Sequence, residues 1–251
     1  MIQNSFIILP GLGLSREKKI WESGVRNWED FLKAERIKGI NPIKKRFYDK
    51  CILRARKELY AGNSAYFCKI LKRSEQWRLY EFFKEETVFL DIETMGNSKF
   101  ADLLMVGLYD ANTCLVKSMV KGYGLTKRGL AEELLKYKMI ATFNGGSFDL
   151  PFIDRFFRKT VPEVPHFDVM VACRRVGLTG GLKAVEEKLK ISRNTAGIDV
   201  VGLWQEYKAT GDKETLQQIV DYNEEDVVNL KKVADVVYGR MPNLYNSPRK
   251  I

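Results

Sequence analysis

The pattern of apolar and polar positions changes near residue 85. Before this point, apolar residues recur every three or four positions, which is the periodicity of helices with one buried face. After it come short apolar runs at 88–92, 103–109 and 114–120, separated by polar or glycine-containing turns, which are typical of strands. The change predicts a helical module over residues 1–84 and a second domain over residues 85–251.

Capping residues and glycines predict the helices of the first part. Ser15 is expected to cap a helix that ends at about residue 22, and Asn27 a helix over 28–33. A longer amphipathic helix is expected after Pro42, and another helical stretch over 64–84. The predicted buried stripe of the long helix consists of Ile43, Phe47, Cys51, Ala55 and Leu59.

The second part begins with strands and continues with helices. The three apolar runs predict a three-stranded meander. Helices are expected over 127–137, 148–158, 182–189, 200–207 and 213–238, with one more strand over 139–143. This order predicts an α/β fold with a mixed sheet flanked by helices, preceded by a small all-α module.

Charge separates the same two parts. Residues 1–84 carry 19 Lys and Arg against 9 Asp and Glu, whereas the rest of the chain carries 23 of each sign. The whole net charge of +10 therefore lies in the helical module, which favours a polyanion such as nucleic acid as its partner. A solvated helical surface explains the same charges without a partner.

Cysteine spacing and hydropathy exclude several classes of protein. Cys51, Cys68, Cys114 and Cys173 form no CxxC pair, so neither a zinc site nor a disulfide framework is predicted. We expect thiols in a reducing compartment, the cytoplasm. No apolar stretch approaches the roughly 18 residues that span a bilayer, so no membrane association is expected, and no small-molecule cofactor is indicated either.

Two acids interrupt the first apolar run of the second part. Asp91 and Glu93 are separated by one residue, so alternation along a strand places both on the same face. Neighbouring carboxylates repel each other unless a cation lies between them, and hard divalent ions prefer oxygen ligands. A strand that ends in solvent explains the pair equally well.

A further acid follows the next strand. Asp149 comes shortly after Asn144-Gly145-Gly146, where the glycines permit a tight turn and the close approach of a ligand. Asp149 is then expected in the first turn of a helix. An ordinary acid that is favoured there by the helix dipole is the alternative interpretation.

The last helix carries an acidic run. Tyr222 and Asp226 are four residues apart, hence one turn apart on one face, together with apolar neighbours such as Leu230. Glu224 and Glu225 are interpreted as surface acids. Asp226 therefore differs from its neighbours in lying on the apolar side.

The order of these motifs resembles a known family. Asp-x-Glu on a strand, Asn-x3-Phe-Asp after a second strand and Tyr-x3-Asp in a late helix resemble the motifs of the DEDD superfamily of RNase H-like 3′ to 5′ exonucleases, in its tyrosine variant. More narrowly, the chain resembles the YprB-like group of these proteins. The resemblance runs from about residue 88 to residue 237 and touches Trp77-Arg78-Leu79-Tyr80.

The resemblance implies a nuclease that hydrolyses phosphodiester bonds with two divalent ions, Mg²⁺ or Mn²⁺. The implied metal ligands are Asp91, Glu93, Asp149 and Asp226. Tyr222 would orient the attacking water rather than deprotonate it, because a tyrosine with its ordinary pKa of about 10 is protonated at neutral pH. Asn144 is expected to contact the nucleic acid.

The histidine content separates related mechanisms. His166 is the single histidine, so a two-histidine mechanism within one chain is excluded. The histidine variant of the DEDD family needs a histidine five residues before the last Asp, where this chain has Asp221. The segment His166-Phe167-Asp168 resembles a family segment behind the active site, so Asp168 is predicted to support the site. An ordinary loop histidine is the alternative.

A glycine turn in the basic module indicates phosphate binding. Residues 8–13, Ile-Leu-Pro-Gly-Leu-Gly, followed by a helix and Gly24-Val25, resemble a helix-hairpin-helix element. In such a turn, backbone N–H groups contact phosphates without reading bases. The predicted nucleic-acid contacts are Gly11, Gly13, Lys44, Lys45, Arg46 and Arg54. A simple helix cap and turn is the alternative explanation.

The motifs and the basic module predict a metal-dependent nuclease with nucleic acid as its partner. The family resemblance implies that it is an exonuclease that acts in the 3′ to 5′ direction. DNA and RNA, single- or double-stranded, are equally open as substrates. Two alternatives remain: an RNase H-like endonuclease that uses the same carboxylates, and a non-catalytic nucleic-acid-binding protein with this fold.

Overall fold

The computed structural model describes residues 1–96, 98, 100–195 and 197–246, with side chains as far as Met241. Its strands are β1 (Thr87–Thr94), β2 (Leu103–Asp110), β3 (Val116–Val120), β4 (Met139–Thr142) and β5 (His166–Asp168). Within the described residues they form one five-stranded sheet in the order β3-β2-β1-β4-β5.

The helices flank this sheet on both sides. They are α1 (Leu14–Glu22), α2 (Trp28–Lys33), α3 (Pro42–Tyr60), α4 (Ala65–Ile70), α5 (Lys127–Leu134), α6 (Asp149–Phe157), α7 (Val169–Arg175), α8 (Leu182–Leu189), α9 (Val200–Thr210) and α10 (Lys213–Asn246). Two 3-10 helices cover Ile2–Asn4 and Arg73–Leu79. The predicted α/β fold, a mixed sheet flanked by helices and preceded by short helices, is confirmed.

The sheet contains both strand directions. Strands β1, β2 and β3 pair antiparallel as the predicted meander, whereas β4 pairs parallel with β1, and β5 pairs parallel with β4. The carboxyl ends of β1, β4 and β5 therefore meet at one edge. In open sheets of this kind, ligands bind outside the carboxyl ends of the strands.

The two faces of the sheet are covered by different helices. Val88, Leu90 and Ile140 face helices α5 and α6 in one hydrophobic cluster. Phe89 and Phe167 face the other side, where helix α10 and the N-terminal helices contribute to a second cluster. Since Asp91 and Glu93 continue the alternation of Phe89, they point toward α10.

A buried chain of charges joins the N-terminal helices to the second part. Glu17 on α1 pairs with Arg78 at 3.0 Å, Arg78 with Glu75 at 2.9 Å, and Glu75 with Arg175 on α7 at 2.9 Å. The side chains of Glu17 and Arg78 are both completely buried. The division of the chain at residue 84 stays a prediction, and this charge chain crosses it.

Helix α3 buries Ala55 and Leu59 of the predicted stripe but not its first two residues. Ile43 is 74% exposed and Phe47 51% exposed. The buried residues of the helix are Lys45, Tyr48, Ile52, Ala55 and Leu59. A strict step of four residues drifts about 40° per step around a helix with 3.6 residues per turn. The predicted stripe therefore leaves the buried face over four turns.

Two other predictions need correction, and two elements were not predicted. Helix α1 begins after Gly13 rather than at Ser15. The helical stretch expected over 64–84 is divided between α4 and a 3-10 helix, with Leu71 in extended conformation between them. Strand β5 and helix α7 were not predicted, because a three-residue strand is too short to show a period.

Candidate active site

Strand β1 presents two acids to helix α10. Asp91 and Glu93 are half-buried on the face of the sheet that carries Phe89. Ile92 between them is buried on the opposite face. The alternation expected of a strand is observed, and it brings both carboxylates close to the end of β1.

Helix α10 adds a third carboxylate. Oxygen atoms of Asp91, Glu93 and Asp226 all lie within 4.8 Å of one another. Asp226 is buried on the side of α10 that also buries Ile219 and Leu230. We call these three carboxylates the acidic trio.

Asp149 lies next to the acidic trio without being part of it. It is the first residue of α6, is 4% exposed, and is hydrogen bonded to the backbone of Ile92 on β1. Its charge is the strongest electrostatic repulsion acting on Asp91. The four carboxylates named by the motifs therefore meet at the carboxyl edge of the sheet.

Burial raises the pKa of all four carboxyls. It raises the pKa of Glu93 to about 8 and that of Asp149 to about 7. The pKa values of Asp91 and Asp226 are also raised, with burial as the largest cause, and repulsion by Asp149 and Glu93 adds to it for Asp91. Such a concentration of acids favours binding of protons or of a cation.

Asn223 holds two of these carboxylates. Its Nδ2 donates a hydrogen bond to Asp91 Oδ2 at 2.9 Å and another to Glu93 Oε1 at 3.4 Å. Asn223 is completely buried, and its Oδ1 faces Gly107, which is paired with Asp91 across strands β1 and β2. A Cβ at position 107 would lie 1.9 Å from that oxygen, so only glycine leaves room for Asn223.

Arg193 connects Asp226 to a second buried acid. Its Nε and one terminal nitrogen donate to the two oxygens of Glu186 on α8, at 2.7 and 2.9 Å, and the guanidinium also pairs with Asp226 Oδ1. The Arg193 side chain is 9% exposed and that of Glu186 is 2% exposed. Arg193 is thus a fixed countercharge on one side of the acidic trio.

Tyr222 lies one helical turn before Asp226 and is half-buried. Two cations lie near its ring: Lys183 Nζ is 4.6 Å from the ring centroid, and Arg193 Cζ is 5.8 Å from it. Burial, reinforced by the charge of Asp226, raises the pKa of Tyr222. Its hydroxyl therefore stays protonated at neutral pH, where it can donate a hydrogen bond but cannot act as a base.

The geometry agrees with the comparison to protein families. Residues 88–238 match the family model described as the RNase_H superfamily, and this segment is more than half of the chain. The chain belongs to the RNase H superfamily. Among curated proteins, none matches it. Membership in the RNase H superfamily indicates nuclease-type activity on nucleic acid.

The acidic site fits the divalent metals that RNase H-like nucleases use. The acidic trio offers only carboxylate oxygens, and Asp149 adds more of them. Such a set suits hard cations such as Mg²⁺ and Mn²⁺, whereas softer metals prefer thiolate or imidazole ligands. No helix in the described part of the chain is both long and apolar enough to cross a membrane.

The turn after β4 carries Asn144, whose φ of 66° is left-handed. Its N–H donates to Asp168 Oδ1 at 3.1 Å, and the N–H of Gly146 donates to Asp168 Oδ2 at 3.3 Å. Asp168 thus lies behind the turn that leads to Asp149, in the place expected of a supporting residue. That supporting role stays a prediction.

His166 lies in strand β5, not in a loop as the alternative interpretation had it. Its Nε2 is 2.8 Å from Thr142 Oγ1, and Arg73 Nε donates to its Nδ1 at 3.4 Å. Burial lowers the pKa of His166 to about 3, so the ring is neutral at physiological pH. His166 therefore packs beside β4 without a charge to offer to the acidic site.

The residues of the N-terminal module that were predicted to contact nucleic acid differ in their exposure to solvent. Gly11 has a left-handed φ of 75°, and Gly13 caps helix α1. Lys44, Arg46 and Arg54 are exposed on α3. Lys45 is only 6% exposed, and its Nζ pairs with Asp49 Oδ1 at 2.7 Å, so it is not placed to contact a phosphate.

Several residues of the site were not found from sequence. Glu186, Arg193 and Lys183 lie outside the motifs, and Asn223 is an unspecified position within Tyr-x3-Asp. The roles of all four come from contacts between distant segments. Glu224 and Glu225, interpreted as surface acids, are half-buried: Glu224 accepts from Ser118 Oγ, and Glu225 accepts from the backbone N–H groups that follow Arg193. One signal was readable, namely Gly107 inside an otherwise apolar strand, which marks a close approach.

Proposed function

We propose that this RNase H superfamily protein is a nuclease of the tyrosine DEDD type, in its YprB-like group, and that it degrades DNA or RNA from the 3′ end. One observation carries the proposal. Four carboxylates and one tyrosine, named by three separate motifs, converge at the carboxyl edge of one sheet. If the three motifs matched the family by chance, there would be no reason for their side chains to lie together in the folded protein.

In this proposal two ions, Mg²⁺ or Mn²⁺, are held by Asp91, Glu93, Asp149 and Asp226. When bound, such ions supply an activated water near neutral pH and stabilise charge on the attacking and leaving oxygens. Tyr222 orients the attacking water through its protonated hydroxyl. Asn223 fixes the two acids of β1, and Arg193 fixes the carboxylate of Asp226 by pairing with its Oδ1.

Removing one metal ligand at a time tests the proposal. Asp91→Asn and Asp226→Asn are expected to abolish Mg²⁺- or Mn²⁺-dependent degradation of end-labelled oligonucleotides without unfolding the protein. Asp221→Asn is the matched control, because Asp221 is exposed on the same helix beside Tyr222. Wild-type rates in either of the first two variants would contradict the proposal.

The role of Tyr222 has its own test. Tyr222→Phe removes one hydroxyl and leaves the carboxylates in place. Its single-turnover rate is expected to fall by about tenfold, the value of one hydrogen bond in the transition state. Unchanged Mn²⁺ affinity, measured by calorimetry, would separate this loss from damage to the metal ligands. An unchanged rate would exclude a role for the hydroxyl.

The type of cleavage is tested with a matched panel of DNA and RNA, single- and double-stranded, linear and circular. An exonuclease degrades the linear molecules and leaves the circles intact, whereas an endonuclease cuts both. A label at the 5′ or at the 3′ end gives the direction. Binding without hydrolysis in either metal would identify a non-catalytic nucleic-acid-binding protein.

We further propose that residues 1–84 form a module that holds the nucleic acid backbone, through the Gly11–Gly13 turn and the exposed cations of α3. Replacing Lys44, Arg46 and Arg54 together by Ala is expected to reduce the slope of log affinity against log salt by about two to three. Lys208→Ala, an exposed lysine on α9, is the control. An unchanged slope in the triple variant would remove these cations from the interface.

A further inference from the structure

We propose that Lys183 binds the phosphate group that is cleaved, on the side of the acidic trio that carries Tyr222. This inference rests on the proposed nuclease function and adds a substrate contact to it. Lys183 lies in the first turn of α8, outside all three motifs, and its Nζ is 4.6 Å from the centroid of the Tyr222 ring. Its side chain is therefore at the acidic site although its place in the sequence gives no sign of this.

The two cations near Tyr222 differ in what they can still bind. Arg193 is committed, since it pairs with both Glu186 and Asp226 and is almost completely buried. Lys183 is exposed, and in the described parts of the chain it makes no ion pair and no hydrogen bond. Its three N–H donors are thus available to an anion that enters the site.

The position of Lys183 is unfavourable for its own helix. A cation in the first turn of a helix opposes the helix dipole. Gly180 and Gly181 precede the helix, and a Cβ on Gly180 would lie 2.8 Å from Ala184 Cβ, so the entry into α8 is tightly constrained. What favours the cation here is the negative charge of Glu93 and Asp226, both of which attract it.

A phosphodiester that enters this site must bring its own negative charge close to four carboxylates. An ammonium beside Tyr222 reduces that repulsion, and lysine binds phosphate as a compact point charge with three donors. The ring of Tyr222 beneath the ammonium holds it in place by a cation–π contact. The same residue that orients the water would thus also orient the cation that receives the phosphate oxygen.

A simpler role for Lys183 is to offset the charge of the carboxylates. A contact between Lys183 and the phosphate depends on the charge of the substrate, whereas an offset of the carboxylate charges does not. Lys183→Ala is expected to lower the single-turnover rate by about 10- to 100-fold, the usual value of a hydrogen bond to a charged group. Lys183→Arg should retain most of the rate. Lys188→Ala is the matched control, since Lys188 is on the same helix and its Nζ donates a hydrogen bond to the carbonyl of Thr179.

A binding cycle then identifies the phosphate. In the inactive Asp91→Asn background with Mg²⁺, an all-phosphodiester oligonucleotide is compared with oligonucleotides that carry one neutral methylphosphonate, at the first, second or third linkage from the degraded end. Lys183→Ala should weaken binding of the charged oligonucleotide by about tenfold and leave unchanged the binding of the one that is neutral at the first linkage. Coupling at another linkage, or equal weakening of all the oligonucleotides, would overturn the proposal.

The outcomes keep the two proposals apart. If the wild-type protein hydrolyses no nucleic acid but coupling appears at the first linkage, the nuclease proposal fails and Lys183 remains a phosphate ligand. If hydrolysis is observed but Lys183→Ala behaves like Lys188→Ala in rate and in binding, only the assignment of Lys183 is refuted.

Discussion

Replacing Gly107 by Ala tests how the acidic site is held together. The added Cβ would lie 1.9 Å from Asn223 Oδ1 and 2.9 Å from its Cγ, distances that no packed side chain tolerates. Asn223 is completely buried, so its amide has no open space to move into. The substitution therefore forces the amide away from Asp91 and Glu93.

The expected cost combines two effects. Overpacking a buried site costs about 1–3 kcal/mol, and loss of hydrogen bonds to charged groups costs about 1.5–3 kcal/mol. The free energy of unfolding should therefore fall by about 2.5–6 kcal/mol. At 2–4 °C for each kcal/mol in a chain of this size, the Tm should fall by about 5–24 °C. Because the carboxylates lose their support, Mn²⁺ affinity should also fall, by about 10- to 100-fold.

Thermal unfolding and calorimetric titration with Mn²⁺ measure both effects. Gly239→Ala is the matched control, because Gly239 lies in α10 with no atom within 4 Å of an added Cβ. That change should stabilise the helix slightly, by up to about 1 kcal/mol. The double variant Gly107→Ala with Asn223→Ala should be no less stable than Asn223→Ala alone, because the clash is gone.

Two results would refute this reasoning. The first is a Gly107→Ala protein with wild-type Tm and wild-type Mn²⁺ affinity, which would mean that the amide does not occupy the position described. The second is strict additivity of the two substitutions, which would mean that they act on separate parts of the structure.

Four further predictions concern the surroundings of the site. Burial raises the pKa of Glu93 to about 8 and that of Asp149 to about 7, so Mn²⁺ must displace protons when it binds. The apparent Mn²⁺ affinity should therefore rise from pH 6 to pH 8 and stay constant above pH 8. Calorimetric titrations that show no change in affinity over this range would contradict the prediction. The same shifts should make the metal-free protein lose stability as pH rises from about 4.5 to 8, because the unfolded chain releases these protons at the ordinary carboxyl pKa. Arg193→Met should lower the free energy of unfolding, measured in urea, by about 3–5 kcal/mol, because it leaves the buried carboxylate of Glu186 without its countercharge. Adding Glu186→Met should restore most of this loss. A single Arg193→Met variant as stable as the wild type would show that the ion pair does not contribute to stability. Asp168→Ala should weaken Mn²⁺ binding by about tenfold by releasing the turn before α6, and equal binding would show that the turn holds without it.

Local sequence placed Asp91, Glu93 and Asp226 on the faces that the structure shows, because the strand and the helix that carry them have a strong period. The eight-residue strand β1 alternates, so the shared face of Asp91 and Glu93 could be read directly. Helix α10 is long and amphipathic, so Asp226 could be placed on its buried side. Three-residue β5 has no readable period, and it was missed.

The supporting residues could not be predicted in the same way. Arg193 and Glu186 are seven residues apart, but the second partner of Arg193, Asp226, lies more than thirty residues further along the chain. No local pattern specifies that pairing. For Lys45, in contrast, the sequence predicted exposure where the structure shows burial. It belongs to a run of basic residues that is typical of an exposed surface, yet it lies on the buried face of helix α3, where it pairs with Asp49. Charge counting finds a basic module without showing which of its charges are free.

The alternating charges Glu17, Arg78, Glu75 and Arg175 have a consequence for dissecting the protein. A shortened chain that starts at residue 85 would keep Arg175 and lose the other three members, together with the apolar side chains that cover Phe89 and Phe167. Such a fragment would expose a large apolar face, so we expect it to aggregate rather than to act as a minimal enzyme. Nuclease activity is therefore best assayed with the whole chain.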